Sequence, residues 1–340
     1  MHYEEKLPLH VLSGFLGSGK TTLLKSWLAQ QNLNDIALLV NEFGEVGIDH
    51  HLLNEVAPDT VLLPSGCICC QIRGELKTAL LDLYERRARG LLPPFTQVIL
   101  ETTGLADPSP ILSTLLHDRQ LQHHFTQGTL VTLVDAEHAR QQADEQPEWI
   151  AQVSAADKLL LSKCDRVSEL EKCALQQWLH NINPMAELTD TQHILDTPHP
   201  LFQSEVEHGS RDQRFRWLGA CADDHFALKP TAHSLSHPPT QTCVITLEQS
   251  LNWPAFAIWL SMLLHCHGST VLRMKGILRI SDSRSPIVIQ GVQHTLHPPI
   301  HLQDWPGELE SSKLVFILRG LEADRLQQAF SRYMQALQEP

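Results

Sequence analysis

The chain has 340 residues, of which 42% are hydrophobic and 19% charged, so it is long and apolar enough to fold into two domains rather than stay disordered. Lysine and arginine number 26 against 39 acidic residues, and the resulting net charge of −13 argues against sequence-independent binding to nucleic acid. No stretch approaches the ~20 apolar residues of a membrane-spanning helix, and the acidic start lacks the basic region of a signal peptide. We therefore expect a soluble, cytoplasmic protein that binds neither nucleic acid nor membranes.

The first part of the chain alternates apolar strand patterns with helical patterns, which is typical of βαβ units on a mostly parallel sheet. The predicted strands are residues 9–13, 36–41, 60–64, 97–101, 129–135 and 158–162. The predicted helices are residues 20–31, 73–89, 108–116 and 168–181. Ser168 followed by Glu171 fits a capping box at the start of the last helix. These patterns predict an α/β domain over residues 1–190.

Regularity fades over residues 191–240, a segment rich in histidine and proline that we expect to be an irregular connector. Strand patterns follow at residues 241–249, 271–280, 286–293 and 313–320, with helical patterns at 254–265 and 322–338. This order predicts a small α+β domain over residues 241–340, a size that can bury its own core. An exposed face of its sheet is a candidate docking surface.

A phosphate-binding loop directly follows the first predicted strand. Gly14, Gly17, Gly19, Lys20 and Thr21 match the pattern G-x-x-x-x-G-K-[ST] and precede a predicted helix, which is the context that the motif requires. The glycines allow successive backbone N–H groups to face the β- and γ-phosphates, and the helix N-terminus adds a positive partial charge. Lys20 is predicted to bridge phosphate oxygens and the Thr21 hydroxyl to bind Mg²⁺. The expected ligand is a nucleoside triphosphate.

Two later strand ends favour GTP as that triphosphate. Glu101, where GTPases usually have aspartate, is predicted to act on Mg²⁺ directly or through water, and the Gly104 N–H to donate to the γ-phosphate. The segment Ser162-Lys163-Cys-Asp165 resembles the N-K-x-D guanine signature, with Asp165 accepting from the base and Lys163 lying along it. Serine in place of asparagine weakens or removes one contact. An ATP-using protein is the competing interpretation.

Slow hydrolysis follows from the sequence after Gly104. The segment LADPSP contains no glutamine to orient the attacking water, and no arginine finger is evident. Catalysis by positioning and charge alone predicts an intrinsic turnover below about 1 s⁻¹, towards the ~10⁻⁴–10⁻² s⁻¹ of unassisted switch GTPases.

Three cysteines, Cys67, Cys69 and Cys70, lie close together after the third predicted strand. Thiolates are soft ligands suited to Zn²⁺ or Cu(I), and three of them without an obvious fourth ligand suit metal transfer better than a structural site. Packing of small apolar side chains and redox chemistry are the alternatives. The glycine-containing acidic segment 40–49 lies in the switch I position, so nucleotide state and thiolate geometry are candidates for coupling.

Taken together, GFLGSGKTT, VNEFGEVGID, GCICC, ETTGLADP and SKCD, followed by RMKGILRI, resemble the CobW-type family of metal-chaperone GTPases, which are relatives of the hydrogenase and urease nickel-insertion GTPases. The resemblance covers nearly the whole chain. It implies a P-loop GTPase domain, zinc or less favourably cobalt on the C-x-C-C motif, and delivery of the metal to a client apo-metalloprotein. It assigns triphosphate and magnesium to residues 17–22, including Ser18 and Thr22, the metal to the three cysteines, and the base to Lys163 and Asp165.

Several alternatives stay open at this point. One alternative to a metallochaperone is a metal-buffering protein whose nucleotide site controls its affinity for metal. The others are a cobalt-handling factor of cobalamin synthesis and an ATP-dependent kinase. His225, His233 and His237 in the connector are too widely spaced to form a tract and are either scattered surface side chains or a loose auxiliary metal site. Neither the client nor the oligomeric state is identifiable from these patterns.

Overall fold

A computed structural model describes residues 6–41, 61–63, 71–196, 201–202, 240–281, 283, 285–305 and 311–336. The three clustered cysteines, the acidic segment from residue 42 onwards and most of the connector, including His225, His233 and His237, lie outside these residues. The chain divides into two compact units, Met1–Gln176 with Glu187–Ser204 and Gln177–Ala186 with Glu205–Pro340. Within the described part, no helix is both long and apolar enough to cross a membrane.

The first unit is built on a seven-stranded sheet in which all neighbouring strands run parallel. Its strands are β1 (Leu7–Gly14), β2 (Ile36–Asn41), β3 (Val61–Leu63), β4 (Gln97–Glu101), β5 (Phe125–Asp135), β6 (Lys158–Ser162) and β7 (Glu187–Asp190). Their order across the sheet is β3-β2-β4-β1-β5-β6-β7. The predicted α/β fold with a mostly parallel sheet is confirmed.

Helices connect these parallel strands. They are α1 (Lys20–Leu28), α2 (Gln71–Ala88), α3 (Ser109–His117), α4 (Arg119–His124), α5 (Ala139–Glu145), α6 (Pro147–Ala155), α7 (Glu169–Ile182), which runs into the second unit, and α8 (Thr191–Asp196). The capping box of α7 is confirmed, because the Ser168 N–H donates to Glu171 Oε2 at 2.8 Å and the Glu171 N–H donates to Ser168 Oγ at 3.3 Å. All five residues of β6 are buried, as expected for a strand covered on both faces.

The strand order brings four strand ends to one edge of the sheet. β1 lies between β4 and β5, and β6 follows β5, so their carboxyl ends are neighbours. The register pairs Leu12 with Glu101 and Asp135 with Ser162. We call this region, formed by Gly14, Glu101, Asp135 and Ser162 at the ends of the four strands, the carboxyl edge. In open parallel sheets, ligands bind at such edges.

The second unit contains a six-stranded sheet whose strand pairs are antiparallel. Its strands are β8 (Thr240–Leu247), β9 (Val271–Leu278), β10 (Ile287–Val292), β11 (Thr295–Leu296), β12 (Ile300–His301) and β13 (Ser312–Arg319), and its helices are α9 (Trp253–His267) and α10 (Ala323–Ala336). Both helices pack on one core, in which the rings of Trp259 and Phe330 lie 4.6 Å apart at 72°. The predicted α+β domain is therefore present.

The expectation of an exposed sheet face is wrong for the central strands of this sheet. Alternate residues of β13 point to opposite faces, and Phe316 on one face and Val315 and Ile317 on the other are all 0% exposed. Arg273 on β9, which lies opposite Ile317, is also buried. Central strands that are buried on both faces leave no exposed sheet face there for docking.

Candidate nucleotide site

The loop after β1 has the backbone geometry of an anion-binding turn. Gly14, Gly17 and Gly19 have φ angles of +143°, +72° and +94°, a region that side-chain-bearing residues rarely adopt. A Cβ on Gly14 would lie 2.6 Å from the Leu133 carbonyl oxygen, so the loop also needs glycine for space. Helix α1 then starts without a side-chain cap and without an acidic residue in its first turn, so its N-terminal N–H groups are available to an anion.

Lys20 folds back over this loop. Its side chain is buried, and Nζ donates to the Gly14 carbonyl at 2.9 Å and to the Phe15 carbonyl at 3.2 Å. The ammonium therefore lies within the turn, as required for contact with phosphate oxygens. Ser18 is buried beneath the loop, where its Oγ has no hydrogen-bond partner among the described residues, and Thr22 is exposed on the first turn of α1.

Thr21 and Glu101, separated by 80 positions in the chain, meet at the carboxyl edge. Thr21 Oγ1 donates to Glu101 Oε1 at 2.7 Å, and Glu101 is only 4% exposed at the end of β4. A hydroxyl and a carboxylate placed together beside a phosphate-binding loop form the oxygen donor set that suits Mg²⁺. The residues present thus fit the predicted magnesium site.

Gly104 lies directly against the phosphate-binding loop. A Cβ at Gly104 would be 2.6 Å from the Leu16 backbone nitrogen, so only glycine permits this approach. The Thr102 N–H donates to the Leu12 carbonyl at 3.0 Å, which ties the start of the Gly104 segment to β1. The Gly104 carbonyl accepts a hydrogen bond from the Gln152 side chain of α6 at 3.0 Å.

Lys163 follows β6 in a left-handed conformation (φ +56°) and pairs with Asp135 at the end of β5. Its Nζ lies 2.5 Å from Asp135 Oδ2, and this carboxylate is 2% exposed. Burial by itself would raise the pKa of Asp135, but hydrogen bonds from Lys163, the Glu137 N–H and His138 outweigh it and hold the pKa below its usual range. Asp165 is exposed in the short 3₁₀ helix Cys164–Arg166.

Ser162, which stands where the guanine signature has asparagine, links the two loops of the site. Its buried hydroxyl lies 2.7 Å from the Ser18 carbonyl in the phosphate-binding loop and 3.3 Å from the Val134 carbonyl. The substitution that we expected to weaken a contact therefore still supplies a hydrogen bond between the base side and the phosphate side.

Two residues of this site, Asp135 and Gln152, were not foreseen from the sequence. Asp135 carries the same signal as Glu101, since it is an acidic residue that ends a buried parallel strand. Gln152 lies on α6, a helix that the sequence did not predict, and has no motif around it.

Among the residues that the structure describes, one group of potential metal ligands comes together, Asp135, Glu137 and His138, whose ligand atoms lie within 4.8 Å of one another. Lys163 already pairs with Asp135, and Arg166 lies 3.3 Å from Glu137. These cations occupy the carboxylates, so the group is an ion-pair network beside the base side of the site.

The isolated cysteines that the structure describes are ordinary core or surface residues. Cys173 and Cys266 are exposed, and Cys164 is half-buried. Burial raises the pKa of Cys243 to about 12 and also raises that of Cys164, so these two thiols are poorly reactive.

The chain is similar to known proteins over most of its length. Residues 8–190 match the family model described as CobW/HypB/UreG, nucleotide-binding domain, and residues 240–334 match that of the cobalamin synthesis protein cobW C-terminal domain. The zinc chaperone YjiA of Escherichia coli K12 is 32% identical over 326 residues, covering 94% of this chain and 96% of the relative. The zinc-regulated GTPase metalloprotein activator 1 of Schizosaccharomyces pombe is 27% identical, covering 85% and 76%. The crystal structure of zinc-bound YjiA GTPase from E. coli superimposes with a TM-score of 0.67 at 26% identity, covering 97% of this chain and 99% of that one.

Proposed function

Since the chain belongs to the CobW/HypB/UreG family, we propose that it is a GTPase metallochaperone that binds zinc and delivers it to a client apo-metalloprotein. The observation that carries the GTPase part is the meeting of Lys20, Thr21 and Glu101 at the carboxyl edge. An ammonium, a hydroxyl and a carboxylate beside an uncapped helix N-terminus are the groups that a magnesium-bound triphosphate requires.

The triphosphate is held by the loop from Gly14 to Thr22. Backbone N–H groups at Gly17, Ser18 and Gly19 and at the start of α1 face the β- and γ-phosphates, and the Lys20 ammonium moves from the loop carbonyls to phosphate oxygens. This exchange replaces two neutral acceptors with charged ones, and charge-assisted hydrogen bonds are roughly twice as strong.

Hydrolysis relies on charge placement. The Thr21 hydroxyl and the Glu101 carboxylate hold Mg²⁺, which when bound neutralises charge that develops on the β- and γ-phosphate oxygens. The Gly104 N–H donates to the γ-phosphate from the opposite side. Because the following segment supplies no glutamine, the water is poorly oriented and turnover is slow.

Guanine is recognised at the other end of the carboxyl edge. Asp165 accepts hydrogen bonds from the N1–H and exocyclic amine of guanine, groups that adenine does not present in that pattern. Lys163 lies along the base, and its pairing with Asp135 fixes the position of its side chain.

The metal is carried by Cys67, Cys69 and Cys70, whose thiolates suit Zn²⁺. Zinc is preferred to Co²⁺ because the relatives that the chain resembles over most of its length are named zinc chaperones and zinc-regulated activators. Nucleotide state and thiolate geometry are coupled through the segment between the two motifs, and hydrolysis resets the cycle after delivery.

The test is GTP turnover by the metal-free full-length chain titrated separately with Zn²⁺ and Co²⁺. We expect Zn²⁺ to change turnover at about one equivalent, and addition of GTP to change the rate at which a chromogenic chelator removes the bound zinc. The variant Cys67→Ala/Cys69→Ala/Cys70→Ala should not respond. A matched control, Cys173→Ala/Cys266→Ala, removes two exposed isolated thiols and should respond as the wild type does. Turnover that ignores both metals in every variant contradicts the coupled chaperone.

A further inference from the structure

Gln152 on α6 forms a buried clamp on the Gly104 segment. The side chain is 0% exposed, and its single amide nitrogen donates to the Gly104 carbonyl and to the Ala106 carbonyl, both at 3.0 Å. Both donors of a glutamine amide are thereby used on carbonyls two residues apart. Such a pair of hydrogen bonds fixes the peptide plane between Gly104 and Leu105 and the one between Ala106 and Asp107.

The clamped segment is pressed against the phosphate-binding loop. The Gly104 Cα faces Leu16 so closely that an added Cβ would lie 2.6 Å from the Leu16 nitrogen. The Gly104 N–H shares a peptide plane with the Thr103 carbonyl, which accepts from the Ala106 N–H at 3.1 Å. With that plane tied to Ala106, its Cα against Leu16 and its carbonyl held by Gln152, Gly104 has little freedom to reorient its N–H. Separately from the clamp, Thr132 Oγ1 of β5 donates to the Gln152 backbone carbonyl at 3.1 Å.

Simple packing does not account for this side chain. Its Oε1 is buried and has no hydrogen-bond partner among the described residues, and a buried acceptor without a partner costs folding free energy. An apolar side chain of the same volume would avoid that cost but would leave the Gly104 and Ala106 carbonyls without this donor, so the amide is retained for the two hydrogen bonds that it donates.

We infer that Gln152 is a positioning residue for the γ-phosphate. By fixing the Gly104 and Ala106 carbonyls, it holds the turn from Thr103 to Ala106 that orients the Gly104 N–H towards the γ-phosphate, and it thereby sets both the preference for GTP over GDP and the rate of hydrolysis. This inference rests on the proposed function, because it requires Gly104 to meet the γ-phosphate of a bound GTP.

The variant Gln152→Met keeps the length and volume of the side chain and removes both donors. Losing the clamp should lower kcat for GTP about tenfold and weaken binding of a non-hydrolysable GTP analogue by a similar factor, the size expected when about one net hydrogen bond is lost. GDP, which has no γ-phosphate, should bind within about twofold of wild type. The control Thr132→Val removes the hydrogen bond to the Gln152 backbone and leaves the amide clamp, so its ratio of analogue to GDP affinity should stay that of wild type.

A second variant keeps the inference testable if Gln152→Met does not fold. An ionised glutamate at this position has no donor, whereas a protonated one has a single O–H donor, and burial raises the pKa of a carboxyl group. The kcat of Gln152→Glu relative to wild type should therefore rise as the pH falls from 8 to 5.5.

The outcomes separate the inference from the function beneath it. A wild-type chain that neither hydrolyses GTP nor binds the analogue overturns the proposed GTPase and the inference with it. If the wild type hydrolyses GTP but Gln152→Met loses analogue and GDP affinity equally, or loses neither, Gln152 has only a structural role. A flat pH profile for Gln152→Glu leads to the same conclusion, as does a Thr132→Val variant that reproduces the selective loss.

Discussion

The carboxyl edge of the first unit and the core between the sheet and helices of the second unit differ in what they bury. At the carboxyl edge of the first unit, Lys20, Glu101 and Asp135 are 9%, 4% and 2% exposed, so three charged side chains are taken out of water. In the second unit, aromatic rings pack in the core between the sheet and its helices, with Trp259 edge-on against Phe330. Buried charge is costly to fold, whereas buried rings supply stability. The first arrangement is maintained for chemistry and the second for folding, and this difference predicts which substitutions separate activity from stability.

The largest effect is expected from Lys20→Ala. Removing an ammonium aimed at the transferred phosphoryl group should lower GTP turnover at least about 10³-fold, at the upper end of the losses measured when one electrostatic contact to a transition state is deleted. Thermal stability should change little, since the Gly14 and Phe15 carbonyls that accept from Lys20 Nζ can turn to water. Turnover and melting temperature measured on the same sample check both parts. Lys25→Ala, on the same helix but outside the loop, is the control, and equal losses in the two variants would contradict the assignment.

The opposite pattern is expected from Phe330→Ala. Deleting this ring, which is 1% exposed and packs on Trp259, should lower the free energy of unfolding by about 3–4 kcal/mol through lost burial and the cavity left behind. The GTP affinity of the folded variant should stay within about twofold of wild type. That is a smaller change than the loss of one typical hydrogen bond, about 1 kcal/mol, would cause. Urea unfolding and nucleotide titration measure the two quantities. Phe330→Leu, which refills most of the volume, should lose under about 1.5 kcal/mol.

Much of the fold was predictable because the signals were local. The bounds of β2, β4 and β6 were predicted to the residue, since each is a short apolar run covered on both faces. β7 was not predicted, because its four residues, Glu187–Asp190, are all half-buried and its alternation is too short to detect. Helices α5 and α6 were absent from the prediction as well, and both are under ten residues long.

The residues of the candidate site also divide into those that a local motif predicted and those that depend on contacts distant in the sequence. Lys20 and Thr21 belong to a contiguous motif, and Glu101 was found because its strand end and the glycine after it follow a known spacing. Asp135 and Gln152 act through partners that are 28 and 48 positions away in the chain, Lys163 and Gly104. Only the pairing of β5 with β6 and the packing of α6 create those contacts, so no single stretch of sequence reports them.

His10 sharpens the comparison, because it is a buried titratable group of the first unit that serves folding. Its Nδ1 accepts a hydrogen bond from the Thr129 N–H at 2.9 Å, and burial lowers its pKa to about 4. The unfolded chain therefore binds one more proton than the folded chain between about pH 4 and pH 6.5, so stability should fall by about 2–3 kcal/mol as the pH drops through this window. Urea unfolding at a series of pH values measures the slope. His10→Asn, whose side chain does not titrate, should show a correspondingly flatter profile, and an unchanged slope would assign the effect to other groups.

The smallest effect is expected from Asp135→Asn, which tests whether a residue that touches no phosphate still belongs to the chemistry of the carboxyl edge. The variant keeps the shape of the side chain but removes the charge that holds Lys163. Lys163 should therefore become mobile, and the preference for GTP over ATP should fall about tenfold, the worth of one charge-assisted hydrogen bond.

The hydrogen bonds that lower the pKa of Asp135 also contribute stability, which is fully present above the unfolded pKa of ~3.9 and is lost as the pH falls through the lower folded value. The wild type and Asp135→Asn should therefore differ in melting temperature at pH 7, and this difference should begin to shrink only below about pH 3.9. Glu137→Gln, which alters the exposed neighbour in the same ion-pair network, is the matched control. If it reduces nucleotide discrimination as much as Asp135→Asn does, the effect comes from the net charge of the network and not from the orientation of Lys163.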